Sequence, residues 1–208
     1  MDDDRALLAL FHSIAAGDTA NTSRLLADQP KLATVALRTG ATRANAGEYF
    51  LNPIRRYVYR GDTALHVAAA AHDAGLVDWL IDHGASARAT NRRGDPPLHY
   101  AVDGAPRVSR RNADAQQRTV ELLIARGADV GAVDKNGTAA LHRAIRNRCA
   151  GAVRALLDGG ADPRAPNAKG STPRQLATWT TGRGGSGSPE AKAQQALILE
   201  YLAEDPSA

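Results

Sequence analysis

Cysteine is nearly missing from this chain: Cys149 stands alone among 208 residues. No disulfide can close within the chain, and no cysteine-based zinc site can form. A reducing cytoplasm is the expected compartment. Aromatic residues are scarce at 4%. No apolar run approaches the roughly 20 residues that a membrane span needs. The start, Met1-Asp2-Asp3-Asp4, is acidic where a signal peptide requires positive charge. Lysine is rare as well, with 4 against 22 arginines. With alanine so abundant, a GC-rich genome explains that bias without a functional cause. Signatures of catalysis are missing too. There is no His-Glu-x-x-His and no Gly-x-Ser-x-Gly. The Gly-rich stretch from Gly182 to Pro189 lacks the Lys-Ser/Thr ending of a phosphate-binding loop. The remainder, 43% hydrophobic and 23% charged with a net charge of +4, is the composition of one globular domain.

What the chain does contain is self-similarity. Gly61-Asp62-Thr63-Ala64-Leu65-His66 returns as Gly94-Asp95-Pro96-Pro97-Leu98-His99 and again as Gly137-Thr138-Ala139-Ala140-Leu141-His142. A weaker copy starts at Gly170, so the glycines are 33, 43 and 33 residues apart. A second marker keeps step: Leu80-Ile81-Asp82-His83-Gly84-Ala85 matches segments starting at Leu123 and Leu156. Two motifs in register three times signal a repeat architecture.

Local chemistry gives each unit a shape. The four glycines sit in polar turns, where positive φ is cheap only for glycine. Asn91, Asp134 and Asn167 stand three residues earlier, as turn-forming side chains do. Thr63 and Thr172 are placed as helix N-caps, and His66 can bond back around the first of them. Pro96 and Ala139 hold that cap position in the second and third repeats, which predicts weaker helix starts there. Ala-rich first helices and Leu/Ile/Val-rich second helices would each bury a face only by stacking on neighbours.

These motifs resemble the ankyrin repeat family, whose period is 33 with a Thr-Pro-Leu-His-x-Ala signature. The resemblance implies an all-α solenoid of stacked helix-turn-helix units joined by hairpin tips, of the bacterial type. It predicts a single domain over 1–208, with a degenerate N-terminal capping unit and connector at 1–57. Repeats follow at 58–90, 91–133, 134–166 and 167–208, the last a C-terminal cap.

Three stretches interrupt the pattern. A ten-residue insertion near Gly104–Gln116 carries Arg107, Arg110 and Arg111. A second insertion ends at Ser188-Pro189, read as cap and first residue of a last helix. That helix should bury Leu197, Ile198, Tyr201 and Leu202 and turn Lys192, Gln194 and Glu200 outward. The connector holds Tyr49, Phe50, Tyr57 and Tyr59. There Asn52-Pro53 reads as a helix start followed by Ile54, Tyr57 and Val58. Its rings either cover the end of the stack or, with Arg55, Arg56 and Arg60, form a partner-binding patch.

His66, His99 and His142 share one repeat position and mark helix starts, so they do not converge on a site. Cys149, near Arg146 and Arg148, reads as an ordinary thiol. Neither an enzyme, a metal nor a cofactor is expected. The resemblance implies partner binding by the tips and the inner face of the first helices. Carried over, this selects Tyr59, Arg60, Arg92, Arg93, Asp95, Asp103, Lys135, Asn136, Arg146, Asn147, Lys169 and Trp179. With Asp62 included, basic residues outnumber acidic ones six to three at the variable positions. The expected function is therefore a monomeric adaptor or regulatory subunit that binds an acidic segment of another protein. Nucleic-acid or polyanion binding through the Arg-rich tips and insertions is the alternative, and it predicts a steep salt dependence.

Overall fold

The computed structural model describes residues 2–103, 112–182 and 189–204, apart from the side chains of residue 2 and of residues 179–182. The described residues form an all-α solenoid of five helix pairs. The first pair is α1 (Asp2–Ala16) and α2 (Thr19–Asp28). Then come α3 (Ala64–Ala71) with α4 (Ala74–Asp82), and α5 (Pro97–Val102) with α6 (Ala113–Ala125). Last are α7 (Ala140–Arg146) with α8 (Ala150–Asp158), and α9 (Pro173–Gly182) with α10 (Pro189–Glu204). The odd-numbered helices stack as an inner row, α1 on α3 on α5 on α7 on α9. The outer row packs α4 on α6 on α8 on α10. α2 stands off from α4, and a cleft of about 550 Å³ lined by Ile14, Leu26, Leu76 and Trp79 lies between them.

The stacking follows from side-chain size. Ala64, Ala68 and Ala69 of α3 are fully buried and let its neighbours approach closely. Val77, Leu80, Val120, Leu123, Val153 and Leu156 fill the space between the two rows. The second helices start on short polar side chains. The carboxylate of Asp73 accepts from the N–H of Leu76 at 3.0 Å, and the amide oxygen of Asn112 accepts from Ala115 at 2.9 Å. Cys149 occupies the same position in the third repeat and makes no cap bond. There Gln194 of α10 supplies the cap, its Oε1 accepting from the N–H of Ala150 at 3.0 Å.

The first helices start on the expected threonine and histidine. The N–H of Thr63 donates to Nδ1 of His66 at 3.1 Å. At Thr172 a full reciprocal box forms with Gln175. The third repeat departs from expectation. Ala139 has no side-chain acceptor, yet its N–H still donates to Nδ1 of His142 at 3.3 Å, so half the arrangement survives. In the second repeat Pro96 has no N–H to give, and Nδ1 of His99 turns to Asp95 at 3.4 Å.

Two further expectations are corrected. Asn52-Pro53 starts no helix. It is the turn of a hairpin, with β1 (Phe50–Leu51) antiparallel to β2 (Arg56–Tyr57) and Phe50 opposite Tyr57. Proline favours the first position of a helix and the second position of a turn through the same fixed φ, so the dipeptide cannot distinguish them. In α10, Ile198 and Leu202 are buried, but Leu197 is 37% exposed. Gln195 takes the buried place instead, donating to the carbonyl of Ala177, and Gln194 faces α8 rather than solvent.

Both insertions fall between the two helices of their repeats. The expectations for Arg107, Arg110 and Arg111, for residues 183–188 and for the cap at Ser188 lie outside the described residues.

Candidate functional site

Each tip is built by one side chain. The amide oxygen of Asn91 accepts from the N–H groups of Arg93 (2.8 Å) and Asp95 (3.1 Å). The carboxylate of Asp134 accepts from Asn136 (2.7 Å) and Thr138 (3.0 Å), and Asn167 accepts from Lys169 (2.9 Å) and Ser171 (3.1 Å). A glycine then closes the turn. Gly137 has φ +66°, and a Cβ on it would meet the backbone nitrogen of Ala168 at 2.8 Å, so positive φ and close approach both demand glycine. Successive tips join through the backbone: Arg92 N–H to Arg60 C=O (2.7 Å), Lys135 to Arg93 (2.9 Å) and Ala168 to Asn136 (3.0 Å). Below them His66, His99 and His142 are buried in the inner row. The Nε2 atoms of His66 and His142 reach the carbonyls of Asp95 and Ser171 in the next repeat, and that of His99 reaches Ala132 at the end of its own. Burial lowers the pKa of His66 and His142, which keeps them neutral as that geometry requires.

Between the tips and the first helices lies a buried charge network. Tyr100 donates from its hydroxyl to Asp62 at 2.7 Å, and Asn91 donates to the other Asp62 oxygen at 2.8 Å. Arg56, from the connector hairpin, lies 3.7 Å over the Tyr100 ring and pairs with Asp103 at 2.8 Å. Arg143 donates to Asp103 at 2.8 Å, to Asp134 at 2.7 Å and to Asp95. Burial opposes charge on Asp95, but the hydrogen bond from His99 and the Arg143 guanidinium outweigh it and hold its pKa at about 2. Burial likewise opposes the Asp103 charge, and the two arginines overcome it, so that pKa is lowered. Burial and the nearby Asp62 carboxylate push Tyr100 well above its ordinary value, so it stays a donor.

The residues singled out in the sequence fall into three groups. Arg60, Lys135, Asn136, Arg146 and Lys169 are exposed. The side chains of Arg60, Lys135, Arg146 and Lys169 make no hydrogen bond or ion pair among the described residues. Tyr59, Arg92 and Arg93 form a cluster. The guanidiniums of Arg92 and Arg93 lie 5.2 and 5.0 Å from the Tyr59 ring centre. Arg92 also donates to the carbonyl of Ala41, and Arg93 to the Tyr59 hydroxyl. Asp95, Asp103 and Asn147 belong to the interior network, contrary to the expectation of free surface side chains. Asp95 is 1% exposed, and Asn147 donates to Val102 C=O at 3.2 Å. Their orientation is set by Arg143 and α5, more than 40 residues away for two of the three. The side chain of Trp179 lies outside the described residues.

Arg143, the centre of the network, escaped the sequence reading, although a signal existed. It fills the motif slot between histidine and alanine that holds Val67, Tyr100 and Leu176 elsewhere. Arg56 was legible only as one of a basic group. Among the described residues no group of His, Cys, Asp or Glu could hold a metal, and no helix is long and apolar enough to cross a membrane. Cys149 is buried, its Sγ 3.7 Å from the carbonyl of Val102.

Known proteins share this architecture. The family model for ankyrin repeats in many copies matches residues 53–101 and 123–177, and the single ankyrin repeat model matches 93–135. The chain is 32% identical over 149 residues to ankyrin repeat and SOCS box protein 6 of Homo sapiens, covering 68% of this chain and 31% of that protein. It is 32% identical over 144 residues to ankyrin repeat and SOCS box protein 16 of Mus musculus, covering 68% and 30%. An ankyrin repeat protein of Rickettsia bellii is 31% identical over 120 residues, covering 57% of this chain and 61% of its own length. The chain thus spans less than a third of the two animal relatives. Ankyrin repeats are protein–protein interaction modules. The repeat period, the tip and helix geometry and these matches agree: the chain belongs to the ankyrin repeat family.

Proposed function

We propose that the chain is a non-catalytic adaptor or regulatory subunit that binds an acidic segment of a partner protein through its tips and concave helix face. The observation that carries the reading is the inward turn of the tip carboxylates. Asp62 and Asp95 are 0% and 1% exposed, while Arg60, Arg92, Arg93, Lys135 and Lys169 stay outside. The sequence-level excess of base over acid is therefore larger at the surface than in the composition. Backbone links between tips order this surface before binding, so little conformational entropy is lost on association. Arg146 and Asn136 extend it, and Trp179 joins the set on the strength of sequence alone. Residues 1–208 act in this reading as one domain capped by 1–57 and 167–208, a cytoplasmic monomer without a cofactor.

The test is affinity capture from the native host with mass spectrometry, at two salt concentrations, with and without nuclease. It is run on the wild type and on Lys135→Glu with Lys169→Glu. A stoichiometric protein that survives nuclease and is lost with the charge reversal supports the reading. Recovery of nucleic acid alone, lost at higher salt, replaces it with polyanion binding.

A further inference from the structure

The outer row is open at its start. α4 packs on α6, α6 on α8 and α8 on α10, whereas α2 stands off from α4 and leaves the cleft of about 550 Å³ between them. Side-chain size is the cause. α2 turns Thr19, Thr22, Ser23 and Ala27 towards the cleft, and none is long enough to fill it. Ile14, Leu26 and Leu76 make an apolar floor. On the α4 wall Trp79 is 38% exposed, yet its ring is fixed. It stacks on His83 with ring centres 3.7 Å apart, and Nδ1 of His83 donates to the Trp79 carbonyl at 2.7 Å. Tryptophan is among the side chains most favoured as anchors in protein interfaces.

The border of the cleft is acidic. Asp18 and Asp73 cap α2 and α4 by accepting from the N–H groups of Asn21 and Leu76, and neither pairs with a cation among the described residues. The nearby cations are engaged. Arg24 pairs with Asp28 and Lys31 with Asp3, while Arg126 of the next repeat serves both Asp78 and Asp82. The surroundings therefore favour a cationic occupant and disfavour phosphates and carboxylates. The walls have helical spacing: Thr19, Ser23, Leu26 and Pro30 on one side, Leu76, Trp79 and His83 on the other. Rows three and four residues apart receive the side-chain ridges of another helix. α4 has 9 residues and so runs about 14 Å, enough for anchors at i, i+3, i+4 and i+7 of that helix.

We propose that the cleft between α2 and α4 receives an amphipathic helix of a partner protein, with an apolar stripe at that spacing and Lys or Arg beside it. One apolar side chain lies against the Trp79 ring, and the cations meet Asp18 and Asp73. This surface lies on the outer row and prefers the opposite charge to the tips, so it stands or falls independently of the acidic-segment reading.

The test uses the full chain and three fluorescein-labelled helical peptides of about 14 residues. The first carries a leucine stripe at i, i+3, i+4 and i+7 flanked by lysines. The second has glutamine in place of the lysines, and the third has glutamine in place of the leucines. Fluorescence anisotropy is read for the wild type and two double variants. Ser23→Leu with Ala27→Leu fills the cleft from exposed positions of α2. Asp18→Asn with Asp73→Asn removes the charge and keeps both caps. The first peptide is expected to bind about fivefold tighter than the second and about tenfold tighter than the third. Its binding is lost in the leucine variant, and in the asparagine variant it falls to the level of the second peptide, with neither melting temperature lowered. Equal binding of the first two peptides overturns the cationic flank. Binding that survives Ser23→Leu with Ala27→Leu overturns the assignment to this cleft. Absence of binding by all three peptides overturns the helical occupant, and fluorescence of 1-anilinonaphthalene-8-sulfonate that only the leucine variant loses then points to a small apolar ligand. A dimer in sedimentation velocity that the leucine variant dissociates makes a second copy the occupant and overturns the partner helix.

Discussion

The cations of this protein divide into two kinds. Arg56, Arg143, Arg92 and Arg93 are tied into the structure by carboxylates, carbonyls and tyrosine rings. Lys135 and Lys169 stand on equivalent tips and make no side-chain bond among the described residues. The chain has only four lysines, and two of them hold these unencumbered positions. The chemistry fits: a planar guanidinium can pair and stack at several points at once, whereas an ammonium on a flexible stem works as a solvated point charge. Position in the repeat does not decide which kind a residue is. Arg92 and Lys135 hold the same place in successive tips and differ because the connector reaches only the first of them.

The sharpest way to test this division is Arg143→Ala. It strands Asp95, Asp103 and Asp134 without their shared cation and should lower stability by about 3–5 kcal/mol in urea unfolding. Arg146→Ala, three residues on and exposed, should stay within about 0.5 kcal/mol. Reversing the second tip, Arg92→Glu with Arg93→Glu, should cost about 1–3 kcal/mol by freeing the connector, and should weaken partner binding too. Lys135→Glu with Lys169→Glu should abolish binding at a cost below about 0.5 kcal/mol. If both tip reversals destabilise equally, the distinction between tied and free cations fails.

Acid supplies a graded version of the same test. His66 and His142 have pKa values lowered by burial, so the unfolded chain binds protons that the folded chain refuses. Their contribution to stability is complete above about pH 6.5 and falls as pH drops below it. Asp95, held at about 2, contributes fully above about pH 4 and loses that contribution as pH falls towards 2. The melting temperature should therefore decline in two stages on acidification. Arg143→Ala should flatten the second stage and leave the first.

Much of the fold was legible because each repeat is locally encoded. An Asx residue, a glycine three positions on and a Thr or His cap together fix a turn and a helix start within ten residues. What the sequence concealed depends on distant contacts. Asp95 and Asp103 look like surface acids until Arg143 folds against them. Gln194 looks like an outward polar residue until α8 arrives without a cap of its own. Asn52-Pro53 serves a helix and a hairpin equally well, and the pairing of Phe50 with Tyr57 decides between them. The candidate surface was legible as a row of turns, since the tips are local. Which of its side chains are free to meet a partner is a property of the whole array.

The histidine links have a consequence for how the molecule responds to force. Those of His66 and His142 run from one repeat to the tip of the next, whereas that of His99 ends on Ala132 within its own repeat. The fourth repeat carries Gln175 where histidine would stand and is joined to the third by His142, by the backbone of Ala168, by Gln194 and by the Arg154–Glu204 ion pair. At the other end the connector is pinned by Asp4 to the N–H groups of Arg38 and Thr39, and by Leu37 to Asp62 and Gly61. Pulled from its two ends, the array should part the third and fourth repeats in one step, because the joints between them bear the load together.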